Sequence, residues 1–278
     1  MGRSFLFIPG TYEKYILKIN SVKTDKIIID LEDSINIRDL NLAYKLIKKH
    51  KELLKKNKVF ARIPKNLCDH KTISFLVANG VNGLVIPKIF KISELKKIIN
   101  VLKNIQKKLY LILLAETAYS IVYLNDLIKL SSNFYGIMFG HEDYSLDIKI
   151  FEGKNKNKFT YAREKIVAVC NANNLIPIES PFLSVKDKEG FRKYLKNSKE
   201  IGFKGVICLS PTQCEIANKS FLPDYKSYQL SKKIINIIKT NKNKKNIIYK
   251  DSIFVGPPII KQSKIIIKAY EEYKNQKK

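Results

Sequence analysis

LYLILLAET at 109–117 and GIMFGHED at 136–143 carry the reading of the fold. Each is an unbroken apolar run that stops at charge: Glu116 ends the first, His141-Glu142-Asp143 the second. A strand with one wet face alternates apolar and polar residues, whereas a strand apolar throughout is covered on both faces, as in a parallel sheet flanked by helices. Six more such segments recur: SFLFI at 4–8, KIIIDL at 26–31, VFARI at 59–63, GLVIP at 83–87, IPI at 176–178 and VICL at 206–209. Amphipathic stretches such as 39–56 and 93–107, with apolar residues three and four apart, separate them. Eight strand–helix units in 278 residues fit an α/β fold of the TIM (β/α)₈ barrel type. An open doubly wound sheet is the fallback, but no G-x-G-x-x-G follows any strand. The barrel is expected over 1–222 and a C-terminal helical extension or lid over 223–278. Within that tail a helix is expected at 225–240, a lysine-rich linker or exposed loop at 240–250, and a last helix after Pro257-Pro258.

The composition excludes several classes. Hydrophobic residues make up 45%, enough for a full core and against global disorder. No run of eighteen apolar residues offers a membrane span, and Pro9-Gly10 breaks the first apolar segment, so it reads as a strand and not a signal peptide. Cys68, Cys170, Cys208 and Cys214 show no paired metal spacing and read as reduced thiols of a cytoplasmic protein. The net charge of +27 raises nucleic acid as a partner, but only Arg3, Arg38, Arg62, Arg163 and Arg192 among the 52 basic residues are arginine. Nucleic-acid sites draw on the planar guanidinium fork, so the lysines read as a solvated surface that attracts phosphate-bearing ligands, with no nucleic-acid partner.

The strand ends concentrate polarity. Asp30, Glu32 and Asp33 follow the second segment, Arg62 the third, Lys88 the fourth, Glu116 the fifth, His141-Glu142-Asp143 the sixth and Glu179 the seventh; Ser210-Pro211 follows the eighth. In a barrel all these ends meet at one face, where active sites lie. Neighbouring carboxylates need a proton or a cation, and a hard divalent ion takes one or two of them while keeping waters and substrate oxygens. Glu116 and Asp143, on adjacent strands, suit that role. Arg62 interrupts an apolar strand; it is either a structural ion pair with a neighbouring strand-end carboxylate or a fork for a substrate carboxylate or enolate oxygen.

These segments also carry a resemblance. RSFLFIPG, IIIDLEDSI, ARIP, GLVIPK, LILLAET, MFGHEDYSLD, PIESPF and GFKGVICLSPTQ stand in the order seen in the citrate lyase beta-subunit / malyl-CoA lyase family, over roughly 3–215, with an echo in VGPPIIKQ. The resemblance implies a barrel enzyme, a homo-oligomer and often a trimer. It implies carbon–carbon lysis, or the reverse condensation, of a 3-hydroxyacyl-CoA thioester such as citryl-, malyl- or citramalyl-CoA. The cofactor it implies is Mg²⁺, with Mn²⁺ as a substitute. Residue by residue, Glu116 and Asp143 match the metal carboxylates and Arg62 the arginine on the reacting acid. Glu32 and Asp33 match an acidic catalytic pair that holds metal-bound waters. Gly140 and Glu142, with His141 and Pro211, fall in the substrate-binding loops. Arg3 and Lys88 fall where the family has basic residues on the thioester and CoA side.

The sequence departs from the family pattern at several points. Pro64 follows Ile63 where Asn is usual, and His141 replaces a small residue. Gly205–Pro211 lacks the usual Lys and His/Asn, and Gly256 stands where many members carry an acid, with Asp251 five residues earlier. Three alternatives stay open: thioester hydrolysis, an aldolase acting on free 2-oxo acids, or a subunit that binds metal and ligand without catalysis.

Overall fold

Each of the eight apolar segments forms a strand, and the strands close on one another in chain order. They are β1 (Ser4–Pro9), β2 (Lys26–Asp30), β3 (Val59–Arg62), β4 (Gly83–Ile86), β5 (Tyr110–Ala115), β6 (Phe134–Phe139), β7 (Ile176–Glu179) and β8 (Gly205–Cys208). All pairings are parallel and β8 returns to β1, which completes the barrel. The computed structural model describes residues 2–150, 159–240, 248–250 and 253–275. The chain divides into two compact units, Met1–Lys219 and Ser220–Lys278.

Side chains alternate across a strand, so every second residue faces the barrel axis. One alternating set supplies the axial core: Phe5, Ile28, Phe60, Val85, Ile112, Leu114, Met138, Ile178 and Ile207. The other set, including Ile27, Ile29, Ala61, Leu84 and Leu113, is buried against the helical layer. Large rings fill the narrow lower part of the barrel because small residues make room for them. A Cβ at Gly83 would lie 2.4 Å from the Phe60 ring and 2.6 Å from the Tyr110 carbonyl. The stretch 39–56 forms two helices instead of one, Leu40–Lys49 and Lys51–Lys55, with a break at His50. There the imidazole Nε2 is held 2.7 Å from Glu13 Oε1.

The four cysteines are buried free thiols, and burial pushes Cys68 and Cys170 up to about 12. At neutral pH Cys68 and Cys170 therefore stay protonated. No helix among the described residues is long and apolar enough to cross a membrane.

In the second unit the helices Tyr225–Thr240 and Pro257–Asn275 pack together, with Tyr228 stacked on Tyr270 at 4.3 Å between centroids. The expected loop at 240–250 needs correction at its end. Ile248–Lys250 is a strand paired antiparallel with Ile253–Val255, in a register that sets Ile248 opposite Val255 and Lys250 opposite Ile253. Residues 241–247 of that loop lie outside the described residues.

Arg3 precedes β1 and therefore sits at the opposite end of the barrel from the strand termini. Its backbone N–H and Nε both donate to Asp25 Oδ2, at 2.8 and 2.9 Å, and its Nη2 donates to Oδ1 at 2.9 Å. Arg3, expected from the resemblance on the thioester and CoA side, is thus placed in an ion pair with Asp25 away from the other candidate residues. The six residues of β1 put it about 20 Å below the strand termini. Burial works to raise the Asp25 carboxyl, but the hydrogen bonds and charge of Arg3 outweigh it and hold the group below the usual aspartate range. The pair therefore contributes its full stability above the unfolded aspartate value of about 3.9 and loses it as pH falls through the lower folded value. Asp25→Asn is expected to lower stability at pH 7 by about 1–3 kcal/mol and to narrow its gap to wild type in acid. Urea midpoints measured from pH 7 down to 2.5 check this; a gap independent of pH would refute it.

Candidate active site

Strand parity decides which charges meet. Ile28, Phe60, Leu114 and Met138 face the axis, so Asp30, Arg62, Glu116 and Gly140, each an even number of residues further on, open into the mouth. Ile178 also faces the axis, so Glu179 turns outward. Its carboxylate is taken by Arg163 Nε at 2.9 Å and by Arg163 Nη2, on the helix Thr160–Ala172. Glu179 is thus removed from the set of ionisable groups expected at the mouth.

The mouth opens on a cavity of about 770 Å³ with two parts. The polar part is lined by Asp30, Asp33, Arg62, Glu116 and the loop Gly140-His141-Glu142-Asp143. The apolar part is lined by Leu6, Ile8 and Ile27, whose parity turns them away from the axis towards the helical layer, together with Ile19, Val22, Tyr15 and Lys18, and Ser210 and Pro211 also line the cavity. A cavity of that size holds a ligand much larger than a small acid.

Arg62 is paired in the ladder with Asp30, its direct cross-strand partner. Its Nε and Nη2 donate to the two Asp30 oxygens at 2.7 and 2.6 Å. Asp30 is itself fixed by the backbone N–H groups of Glu32 and Ser34, both at 3.1 Å. The remaining nitrogen, Nη1, points across the mouth to Asp33 Oδ2 at 2.8 Å and lies 3.3 Å from Glu32 Oε2. Burial opposes the charge on Arg62, but these carboxylates hold it firmly protonated. One edge of Arg62 thus forms the structural ion pair with Asp30, and the other faces the cavity.

Lys88, expected from the resemblance on the thioester and CoA side, reaches across the carboxylate cluster. Its Nζ donates to Asp33 Oδ1 at 2.8 Å and approaches Glu32 Oε1 at 3.3 Å, while its backbone N–H donates to Glu116 Oε1 at 2.8 Å. To do both, Lys88 adopts a left-handed backbone, φ 51°, a conformation that costs a non-glycine residue about 1–3 kcal/mol and is found where the site demands it. Burial pushes against its charge, and Asp33 and Glu32 more than restore it.

Glu116 is 1% exposed. Burial first, and then the charge of Asp143, push its carboxyl up to about 8. Glu32 is raised too, by burial and then by Asp33 against the pull of Arg62 and Lys88, and its Oε2 has no aligned hydrogen-bond donor. Gly140 is required where it stands, because a Cβ there would meet the Glu116 Cβ and Oε2 at 2.7 Å. The His141 ring is tilted against Phe139 and Phe159, with Nε2 2.7 Å from Glu142 Oε1.

The donor set fits a hard cation. Glu116 and Asp143 are oxygen donors whose mutual repulsion lacks an adequate counter-charge. Among the described residues no group of three or more His, Cys, Asp or Glu forms a closed metal cage. An ion such as Mg²⁺ needs only one or two carboxylates and leaves coordination positions to water and substrate. Sequence reasoning placed Asp30 at a strand end but did not include it in the site; its parity with Ile28 was the available signal. Tyr15 and Lys18 gave no signal, since they follow a turn and reach the cavity only through packing. Asp251 lies outside the described residues, and Gly256 has no side chain to act as a base.

Asp30→Ala strips the buried Nε and Nη2 edge of Arg62 of its carboxylate and leaves only Asp33 and Glu32 at Nη1; it is expected to cost about 3–5 kcal/mol, read from denaturant midpoints, and a loss under about 1 kcal/mol would show that the pair is dispensable. Gly140→Ala is expected to displace Glu116, which a crystal structure of the variant checks.

Residues 3–211 match the model of the HpcH/HpaI aldolase/citrate lyase family. Citrate lyase subunit beta of Leuconostoc mesenteroides subsp. cremoris is 21% identical, over 96% of this chain and 93% of that protein. The mitochondrial citramalyl-CoA lyase of Mus musculus is 23% identical, over 95% and 85%. In fold, the chain resembles protein CitE of Mycobacterium tuberculosis, solved with magnesium, acetoacetate and coenzyme A. The TM-score is 0.77 at 16% identity, covering 96% of this chain and 97% of that one. A citrate lyase from Burkholderia xenovorans LB400 superposes with a TM-score of 0.80 at 14% identity, covering 98% and 92%. With the family model spanning the whole barrel and eight parallel strands closed in the same way, the chain belongs to the HpcH/HpaI aldolase/citrate lyase family, a family of carbon–carbon lyases.

Proposed function

We propose that this protein is a divalent-metal-dependent carbon–carbon lyase acting on a 3-hydroxyacyl-CoA thioester of the citryl, malyl or citramalyl type, or running the reverse condensation. The observation that carries the reading is the repelling pair Glu116 and Asp143 in a cavity of about 770 Å³ that is also lined by a set of apolar side chains. The relatives named as citrate lyase subunit beta and citramalyl-CoA lyase support the same substrate class. Glu116 and Asp143 would hold Mg²⁺, which when bound supplies Lewis acidity towards the oxygens of the acid.

The rest falls to the chain. Arg62 keeps one edge locked to Asp30, so its orientation survives substrate entry. Its Nη1 partner Asp33 is half-exposed and gives way to an incoming anion, leaving a fixed donor for the carboxylate and for the enolate oxygen that forms when the C–C bond breaks. Lys88 retains Asp33 after that exchange, and its N–H keeps Glu116 aimed at the cavity. The apolar part between Leu6, Ile8 and Ile19 would take the uncharged arm of the thioester, with Lys18 at its edge.

The test offers a panel of 3-hydroxyacyl-CoAs with Mg²⁺ and with chelator, following acyl-CoA product by chromatography and free thiol by a colorimetric reagent. Metal-dependent release of a shorter acyl-CoA without free thiol is expected, and Glu116→Gln or Asp143→Asn should lower kcat/KM by at least about a hundredfold. Free CoA thiol without carbon–carbon cleavage would mean thioester hydrolysis instead, as in the relative named (3S)-malyl-CoA thioesterase, 24% identical over 84% of this chain. Turnover that survives both the chelator and Glu116→Gln would sink the metal assignment.

A further inference from the structure

We propose that Ser180 is a positioning residue. Its hydroxyl ties the peptide before Gly140 to the helical layer and so sets where Asp143 stands. The inference rests on the metal reading above for its consequence, but its geometry is independent of that reading.

The β6–β7 ladder stops at Met138 opposite Ile178. Two residues later the backbone N–H of Ser180 does not return to β6, because it is donated to Glu179 Oε1 at 2.9 Å. The side chain replaces the missing ladder bond, with Ser180 Oγ donating to the Phe139 carbonyl at 2.9 Å. On the other flank, the Gly140 N–H donates to the Ala115 carbonyl at 3.1 Å. The Phe139–Gly140 peptide is thus gripped from both sides, by β5 through its N–H and by Ser180 through its carbonyl. Directly after it runs the short helix His141–Asp147, which carries Asp143. The far end of that helix is pinned in turn, with Asp147 Oδ2 accepting the Ala118 N–H at 2.6 Å.

Ser180 is itself immobilised. It is 1% exposed and its carbonyl accepts the Tyr194 hydroxyl at 3.1 Å. Behind it, Glu179 is held by Arg163, whose Nη1 and Nη2 also reach Asn197 Oδ1 at 3.1 Å and Ser198 Oγ at 3.3 Å. The outward-turned Glu179, which takes no part in the mouth, thereby anchors the residue that fixes the mouth's sixth strand end. A buried network in which every member is satisfied holds one geometry, and partners behind the ligands of a metal commonly decide its affinity.

The test compares Ser180→Ala, which removes only the hydroxyl, with Ser180→Thr, which keeps it. Two readouts are taken: Mn²⁺ affinity by electron paramagnetic resonance, and amide hydrogen exchange over 140–144. Ser180→Ala is expected to weaken Mn²⁺ binding by about tenfold and to speed exchange over 140–144, and Ser180→Thr to restore both. Wild-type affinity and exchange in Ser180→Ala, or equal impairment in both variants, overturns the proposal. Should Ser180→Ala not fold, Tyr194→Phe, which frees the Ser180 carbonyl, is expected to change both readouts in the same direction, and wild-type values there overturn it. Glu116→Gln separates the two readings. If it binds Mn²⁺ as the wild type does, the metal assignment fails while the exchange data still decide the role of Ser180.

Discussion

In a closed parallel barrel the pleat of each strand admits only every second side chain to the axis, and everything at this mouth depends on that alternation. Asp30 and Arg62 are neighbours in the β2–β3 ladder and share the inward parity, so their pairing is imposed by backbone register before any attraction between them acts. Glu116 and Gly140 arrive by the same rule from β5 and β6. A slip of one residue in any of these strands would send its charge into the helical layer and an apolar residue into the mouth.

The site inverts the charge of the molecule around it. The protein carries +27 overall, yet Asp30, Glu32, Asp33, Glu116 and Asp143 gather, among the described residues, about two close cations, Arg62 and Lys88. Burial makes that imbalance costly. Its visible results are the raised carboxyl of Glu116 and the unaligned oxygen of Glu32. A divalent cation relieves such a cluster, and a lysine-rich exterior draws anionic ligands towards it.

A buried ion pair such as Arg62–Asp30 is a weak source of net stability, because desolvation offsets its attraction. What it supplies is direction. With Nε and Nη2 committed, the guanidinium plane is set and Nη1 has one bearing, towards the cavity. Arg163–Glu179 does the same work in the helical layer. The two arginines are alike in chemistry, but Asp30 and Glu179 are opposite in strand parity, so Arg62 reaches the cavity and Arg163 braces the scaffold.

Much of this was legible in the linear chain. Long apolar runs separated by amphipathic stretches determined eight strands and their order, and the abrupt change to charge after each run marked the mouth, because burial on both faces leaves no other composition for a parallel strand. The positions of Glu116, Asp143 and Arg62 followed from that. The partners did not. Nothing in the linear chain announced that Glu179 would pair with Arg163, Arg3 with Asp25 or Lys88 with Asp33. The hairpin of Ile248–Lys250 with Ile253–Val255 was hidden in a lysine-rich stretch. Which charges meet depends on ladder register, on the left-handed turn at Lys88 and on the reach of long side chains across the mouth. Those distances exist only once β8 has closed on β1, so tertiary structure alone decided them.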